Sequence, residues 1–325
     1  MRLRALITLA VLALIATACG SSKPQQRLRP VSLVLDFTPN PVHAGIYSAL
    51  AHHLDRAEHL RLNVVIPTAS TDSIKLLEAA RIDFAILDIH DLAIARESGA
   101  GLIGVMAIVQ RPLAAVIAAP DISTPRALAG KTIGITGVPS DTAVLHSILL
   151  GAGADPSRVK TITIGFNAVP ELLAGRLAAA TAFWNDEGVT LAVRRPGFHS
   201  FRVDSYGAPS YPELVLCATR STVQHEAPLV EAVVRTLVRG YELTLENPGR
   251  SAADLESRVS GLDPKLVSAQ LRVLEPALRA PDGRVGELGA GRLRAWARWE
   301  LRLGIVSRPP DVGAMFDPRF ASAVQ

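Results

Sequence analysis

Between residues 31 and 219, short runs rich in β-branched and apolar residues alternate with stretches whose apolar positions recur at helical spacing. The runs at 31–37, 62–67, 83–88, 102–109, 113–119, 132–136, 159–165, 178–184, 201–204 and 214–219 are predicted strands. Residues 71–81 turn Ile74, Leu76, Leu77 and Ala80 toward one face, while Thr124-Pro125 and Asp263-Pro264 read as an N-cap followed by a first-turn proline. Strands that alternate with helices predict an α/β fold with mainly parallel sheets. After Thr219 the strand pattern stops. Ser221-Thr222-Val223-Gln224 reads as a capping box, and Leu229, Val233, Leu237, Tyr241 and Leu245 recur every four residues until Asn247-Pro248. Residues 264–278 and 292–303 predict two further helices.

Ten strands reach the practical limit of one open sheet, about ten, and the run breaks at the turn-rich Ala119-Pro120-Asp121-Ile122-Ser123-Thr124-Pro125. The break predicts two lobes. Residues 31–120 and 217–325 form the first, with the C-terminal helices packed on it, and residues 121–216 form the second. Such a chain places its ligand between the lobes, where strand C-termini and helix N-termini face each other. With 325 residues, 49% hydrophobic and 20% charged, it is long enough for two cores. Half of the formal charge of +4 comes from Arg2 and Arg4, and no Lys/Arg block with interleaved aromatics follows. That pattern argues against nucleic acid as a partner.

Arg2 and Arg4 precede an apolar run at 5–16 and the small residues Ala16-Thr17-Ala18, directly before Cys19. The run is too short to span a bilayer, and no later apolar stretch reaches about 18 residues. With the polar tether 20–30 behind it, this segment resembles the lipobox of bacterial lipoproteins. The resemblance implies that 1–19 is a signal peptide ending at a lipidated Cys19. The protein would then be extracytoplasmic and lipid-anchored to the cell membrane. Cys217 remains as a buried small hydrophobe, so no internal disulfide is expected.

Candidate chemistry concentrates at strand ends. Phe183-Trp184-Asn185-Asp186-Glu187-Gly188 follows a strand and opens a helix. An indole stacks on a flat ring, an amide donates and accepts, and a carboxylate accepts from exocyclic amines, so Trp184, Asn185 and Glu187 suit a polar heteroaromatic. The same residues also suit a core tryptophan followed by a helix cap. In Asp36-Phe37-Thr38-Pro39-Asn40-Pro41-Val42-His43, the prolines stiffen a loop that can aim Asp36, Asn40 and His43, although turn and cap roles fit each singly. Asp88 and His90 end another strand on the same lobe. Pro139 and Asp141 lie in a loop on the other lobe, and Tyr211 and Glu213 near the return crossing.

These residues carry a family resemblance. Asp36, Pro39, Asn40 and His43-Ala44-Gly45-Ile46-Tyr47, then Ile82-Asp83-Phe84-Ala85, Gln110-Arg111-Pro112-Leu113, Leu128-Ala129-Gly130-Lys131-Thr132-Ile133-Gly134, Gly165-Phe166, Phe183-Trp184-Asn185-Asp186-Glu187-Gly188 and Tyr206-Gly207-Ala208-Pro209 follow the order of a known family. The chain resembles the thiamine-pyrimidine precursor binding components of ABC importers, which are similar to thiamine pyrimidine synthases. The resemblance implies a type II periplasmic-binding-protein fold. It also implies a formylaminopyrimidine or hydroxymethylpyrimidine ligand, and an ABC permease with its ATPase as partners. Two positions depart from the pattern: Phe37 replaces a usual tryptophan, and Asp186 a usual apolar residue. A riboflavin-binding branch shares the scaffold, so a flavin or another planar heterocycle is the alternative ligand.

Other roles fit less well. The related synthases use a histidine near the position of His90, but Leu87 and Asp88 occupy the region of their pyridoxal-phosphate lysine, and no cysteine cluster is present. A non-enzymatic role without a cofactor is therefore expected. An alkanesulfonate or nitrate would meet Asp36, Asp88, Asp186 and Glu187, a poor setting for an anion. Gly99-Ala100-Gly101-Leu102-Ile103-Gly104 matches a dinucleotide fingerprint only in letters, since it follows a helix and precedes a strand; Gly99 reads as a helix C-cap. His52, His53 and His59 read as a solvated face rather than a metal site.

Overall fold

The computed structural model describes residues 27–324. The expected signal peptide with Cys19, and most of the tether, lie outside the described residues. Each of the ten expected strands is present: β1 (Arg29–Val34), β2 (Leu60–Val65), β3 (Phe84–Asp88), β4 (Leu102–Ala107), β5 (Ala114–Ala118), β6 (Thr132–Ile135), β7 (Lys160–Thr163), β8 (Ala179–Phe183), β9 (His199–Arg202) and β10 (Leu214–Thr219). They form two five-stranded sheets, ordered β2-β1-β3-β10-β4 and β7-β6-β8-β5-β9.

The sheets are mixed rather than mainly parallel. β1 pairs in parallel with β2 and β3, and β6 with β7 and β8, whereas β10 and β5 run antiparallel to both of their neighbours. The cause is the connection between sheets. A strand arriving from the other lobe enters at the cleft edge and runs away from it, while strands followed by a helix end at that edge. Leu214, the first residue of β10, accordingly pairs with Asp88, the last of β3.

The place of the crossing also differs from expectation. β5 belongs to the second sheet, so the chain changes sheets within 108–113, and 119–125 is a turn at the far end of β5. Proline, aspartate and serine mark a turn equally well whether or not the chain changes sheets there. A return boundary between 216 and 217 would cut through β10, which lies wholly in the first sheet.

Seven helices frame the site: α1 (Ala44–Ala51), α2 (Asp72–Glu78), α3 (Ile89–Glu97), α4 (Asp141–Gly151), α5 (Ala227–Glu246), α6 (Pro264–Leu274) and α7 (Ala290–Arg302). α5 buries Leu229, Val230, Val233, Val234, Leu237 and Tyr241 against α1 and the first sheet. Two glycines set that contact. A Cβ on Gly240 would lie 2.1 Å from the Gly45 carbonyl oxygen, and one on Gly45 would lie 2.4 Å from the Tyr241 ring. The close approach lets the Tyr241 hydroxyl donate to the Val42 carbonyl at 2.8 Å, which ties down the turn carrying His43. The expected capping box at 221–224 is displaced: Thr219 caps the helix Arg220–His225 through the Thr222 amide. Gly99 follows α3 with φ +99°, as its C-cap reading requires.

Candidate functional site

The cleft edges of the two sheets enclose a cavity of about 120 Å³. Phe37 and Phe166 wall it from opposite lobes, packed edge to face with centroids 4.5 Å apart. Ile74, Ile86, Leu87, Val144 and Leu214 supply apolar lining. Five carboxyl side chains, those of Asp36, Asp88, Asp91, Asp141 and Glu187, complete it, with no lysine, arginine or histidine among its lining residues.

The Asp36 carboxylate is held from behind. Asn40 and His43 form a capping box on the turn Pro41–His43: Val42 N–H donates to Asn40 Oδ1 at 2.8 Å, and Asn40 N–H donates to His43 Nδ1 at 3.1 Å. Because Nδ1 accepts, the ring carries its proton on Nε2, which donates to Asp36 Oδ1 at 2.9 Å. Asn40 and His43 are thus buried beneath Asp36 and do not line the cavity.

Glu187 belongs to a π-helical turn, Trp184–Gly188, at the end of β8. Such turns recur at functional sites because the widened backbone re-aims side chains. Its Oε2 accepts from the Phe183 amide at 3.0 Å. Burial, and then the charge of Asp186, push its carboxyl up to about 8. Burial raises Asp186 to about 6, against the bond donated by the Gln270 amide.

Trp184 does not wall the cavity. Its indole N–H donates to the Pro112 carbonyl at 2.9 Å, and the Arg202 guanidinium lies 4.2 Å over its ring. The π-helical turn carries this side chain away from the cavity, toward the interlobe crossing and β9. Asn185 is fully buried, with neither amide atom hydrogen-bonded, and also lies outside the lining.

On the first lobe, Asp88 caps α3 by accepting from His90 N–H at 2.8 Å. Burial, together with the charge of Glu213, drives Asp88 well above the carboxylate range against the opposing charge of His90. His90, Tyr211 and Glu213 are buried behind it rather than in the lining. Burial alone would lower His90, but the charges of Glu300 and Asp88 carry it to about 10. Glu213 Oε2 accepts from the amides of Leu113 and Ala114, so it ties the return crossing to the outward one.

Pro139 and Asp141 line the cavity from the second lobe. Asp141 is committed to its own loop, accepting from Gly137 N–H at 2.7 Å, Val138 N–H at 3.1 Å and the hydroxyls of Thr136 and Thr181. Asp91 and Phe166 are lining residues that sequence reasoning did not select. Asp91 Oδ1 accepts from Ser140 N–H at 3.1 Å across the cleft, and burial with the charge of Asp88 raises it to about 8. Ser70 Oγ donates to the Thr136 carbonyl, and Gln270 to Asp186 and Thr190, so hydrogen bonds from Ser70, Ser140 and Gln270 bridge the lobes. Of the expected residues, Asp36, Phe37, Asp88, Pro139, Asp141 and Glu187 come together around the cavity.

A family model described as NMT1/THI5 like matches residues 40–251. The formylaminopyrimidine-binding protein of Halalkalibacterium halodurans is 30% identical over 245 residues, which cover 74% of each chain. A 4-amino-5-hydroxymethyl-2-methylpyrimidine phosphate synthase of Legionella pneumophila is 22% identical over 223 residues, covering 67% of this chain and 70% of that one. Among solved structures, the periplasmic aliphatic sulphonate binding protein SsuA from Escherichia coli superposes with a TM-score of 0.66 at 17% identity. It covers 89% of this chain and 92% of that one. The fold is therefore that of periplasmic binding proteins, two α/β lobes around a cleft, as the sequence implies.

Proposed function

The chain belongs to the NMT1/THI5-like family, and from that premise we propose that it is the extracytoplasmic solute-binding lipoprotein of an ABC importer for a thiamine pyrimidine precursor. In this reading the lobes close on formylaminopyrimidine or hydroxymethylpyrimidine, and the closed form delivers it to the permease. Lipidation of Cys19 tethers the protein to the membrane. The observation that carries the reading is the cavity: about 120 Å³, two phenylalanine walls and five carboxyls without a cationic lining residue.

Size favours a single ring. At about 120 Å³ the cavity is below the roughly 150 Å³ that holds benzene, so the lobes must part a little to admit a substituted pyrimidine and much further to admit the three fused rings of riboflavin. Charge favours an amine-bearing ligand. A sulfonate or nitrate would lie among carboxyls with no cation to pair it, whereas exocyclic amines donate to them. Phe37 and Phe166 pack on the ring, and Asp36 and Glu187 accept from its amines. The lining offers no lysine for a Schiff base, which supports binding over synthesis.

Titration calorimetry on the chain from Gly20 onward tests the proposal with formylaminopyrimidine, hydroxymethylpyrimidine, riboflavin and an alkanesulfonate. Saturable one-to-one binding of a pyrimidine alone is expected. Binding of riboflavin or the sulfonate in its place would overturn the reading.

A further inference from the structure

We propose that Asp88, His90 and Glu213 form a binding site for one divalent transition-metal ion, reached from the floor of the cavity. One ligand atom from each of the three lies within 4.8 Å of the others. The topology causes this convergence. Asp88 ends β3, His90 sits in the first turn of α3, and Glu213 immediately precedes β10, whose first residue pairs with Asp88.

Glu213 supplies the observation that points to an ion. The residue is fully buried, Oε2 accepts two backbone amides, and Oε1 accepts from no N–H or hydroxyl group, the Asp88 carboxyl alone hydrogen-bonding this carboxylate from the side of the cavity. Oε1 lies 3.7 Å from His90 Nε2. Two ligands about 2.1 Å from a tetrahedral zinc stand roughly 3.4 Å apart, so a small adjustment brings both onto one ion. The imidazole is already oriented for the task. Glu300 binds Nδ1 and leaves Nε2 directed at Glu213 and at the Tyr211 hydroxyl, 2.9 Å away. A carboxylate on the far nitrogen is the usual support of a metal-ligating histidine.

Charge leads to the same assignment. Asp88, Glu213 and Glu300 surround one imidazole, and among the described residues no lysine or arginine pairs with any of them. A divalent ion takes the place of two protons, one on the Asp88 carboxyl and one on His90 Nε2, so the charge of the cluster is unchanged. On its entry both protons leave to solvent through the cleft, and the Tyr211 oxygen becomes available as a fourth donor. One nitrogen with two or three oxygens suits Zn²⁺ or Mn²⁺. Asp88 lines the cavity, which gives the ion a path inward.

The test uses the chain from Gly20 onward, stripped with a chelator and titrated with Zn²⁺ and separately with Mn²⁺. Bound metal is counted after gel filtration and thermal stability is followed. One equivalent of at least one ion per chain is expected, with a raised midpoint, and affinity should fall tenfold or more in Asp88→Asn and in His90→Gln. Asp88→Asn retains a side-chain oxygen for the α3 cap, so it reports on the site even if His90→Gln does not fold. The exposed histidines are controlled with a His52→Ala, His53→Ala variant. No uptake of either ion would overturn the proposal, as would uptake that persists in Asp88→Asn and disappears in the His52/His53 variant.

Discussion

Replacing Glu187 with glutamine should weaken ligand binding while stabilising the empty protein, and the second effect has a defined pH window. Burial and the neighbouring Asp186 charge hold this carboxyl at about 8, against an ordinary 4.5. A carboxyl raised on folding contributes its full stability below about 4.5, where both states are protonated. That contribution is lost as pH rises, because the unfolded chain ionises while the folded one resists, and the loss levels off above about 8. At about 1.4 kcal/mol for each pH unit, the penalty reaches on the order of 3–5 kcal/mol. Glutamine does not titrate, and its carbonyl can still accept from the Phe183 amide. Urea unfolding of both proteins from pH 4.5 to 9 should therefore show the variant's advantage growing up to pH 8 and then holding. In calorimetry at pH 8.5, loss of a charged bond to a ligand amine, about 1.5–3 kcal/mol, should raise Kd roughly 10- to 150-fold. A stability difference that is flat across the window, or a variant that binds the pyrimidine as well as wild type, would refute the reasoning.

Other perturbations separate lining residues from supporting ones. Phe166→Ala should cost about 1 kcal/mol or more of pyrimidine affinity, whereas Trp184→Phe should leave affinity within about twofold, since that ring already packs under Arg202; calorimetry on both decides. His43→Ala removes the donor behind Asp36 and strands the Asn40 amide. It should cost roughly 1–3 kcal/mol of stability, read by urea denaturation, with a modest rise in Kd. Gly240→Ala drives a methyl to 2.1 Å from the Gly45 carbonyl oxygen. The α1–α5 contact must separate, and thermal unfolding should show a loss of about 1–3 kcal/mol or more.

The strands were legible because their apolar runs are short, bounded by turn residues and separated by helical periodicity. The ownership of β5 was not, because the proline-rich turn after it carries the same composition as a lobe crossing. At the site, the carboxyls Asp36, Asp88 and Glu187 stood out by their position at strand ends. The layering behind them did not: Asn40 and His43 occupy one turn with Asp36, and only the capping geometry turns them inward. Trp184 lies outside the cavity because it and Glu187 stand three apart and would share a face at ordinary helical spacing, whereas the wider π-helical turn, which that spacing does not reveal, separates them and leaves only Glu187 in the lining. Phe166 follows a glycine in a loop, where no periodicity marks its direction. Asp91 stands in the first turn of α3, where a carboxylate is ordinary at the positive end of a helix.

A crystal structure of the chain grown with formylaminopyrimidine tests the proposed site most directly. It should show one molecule in the closed cleft, its ring packed on Phe37 and Phe166 and its amines donating to Asp36 and Glu187. A ring stacked on Trp184, or density outside the cavity with the cleft empty, would contradict that assignment.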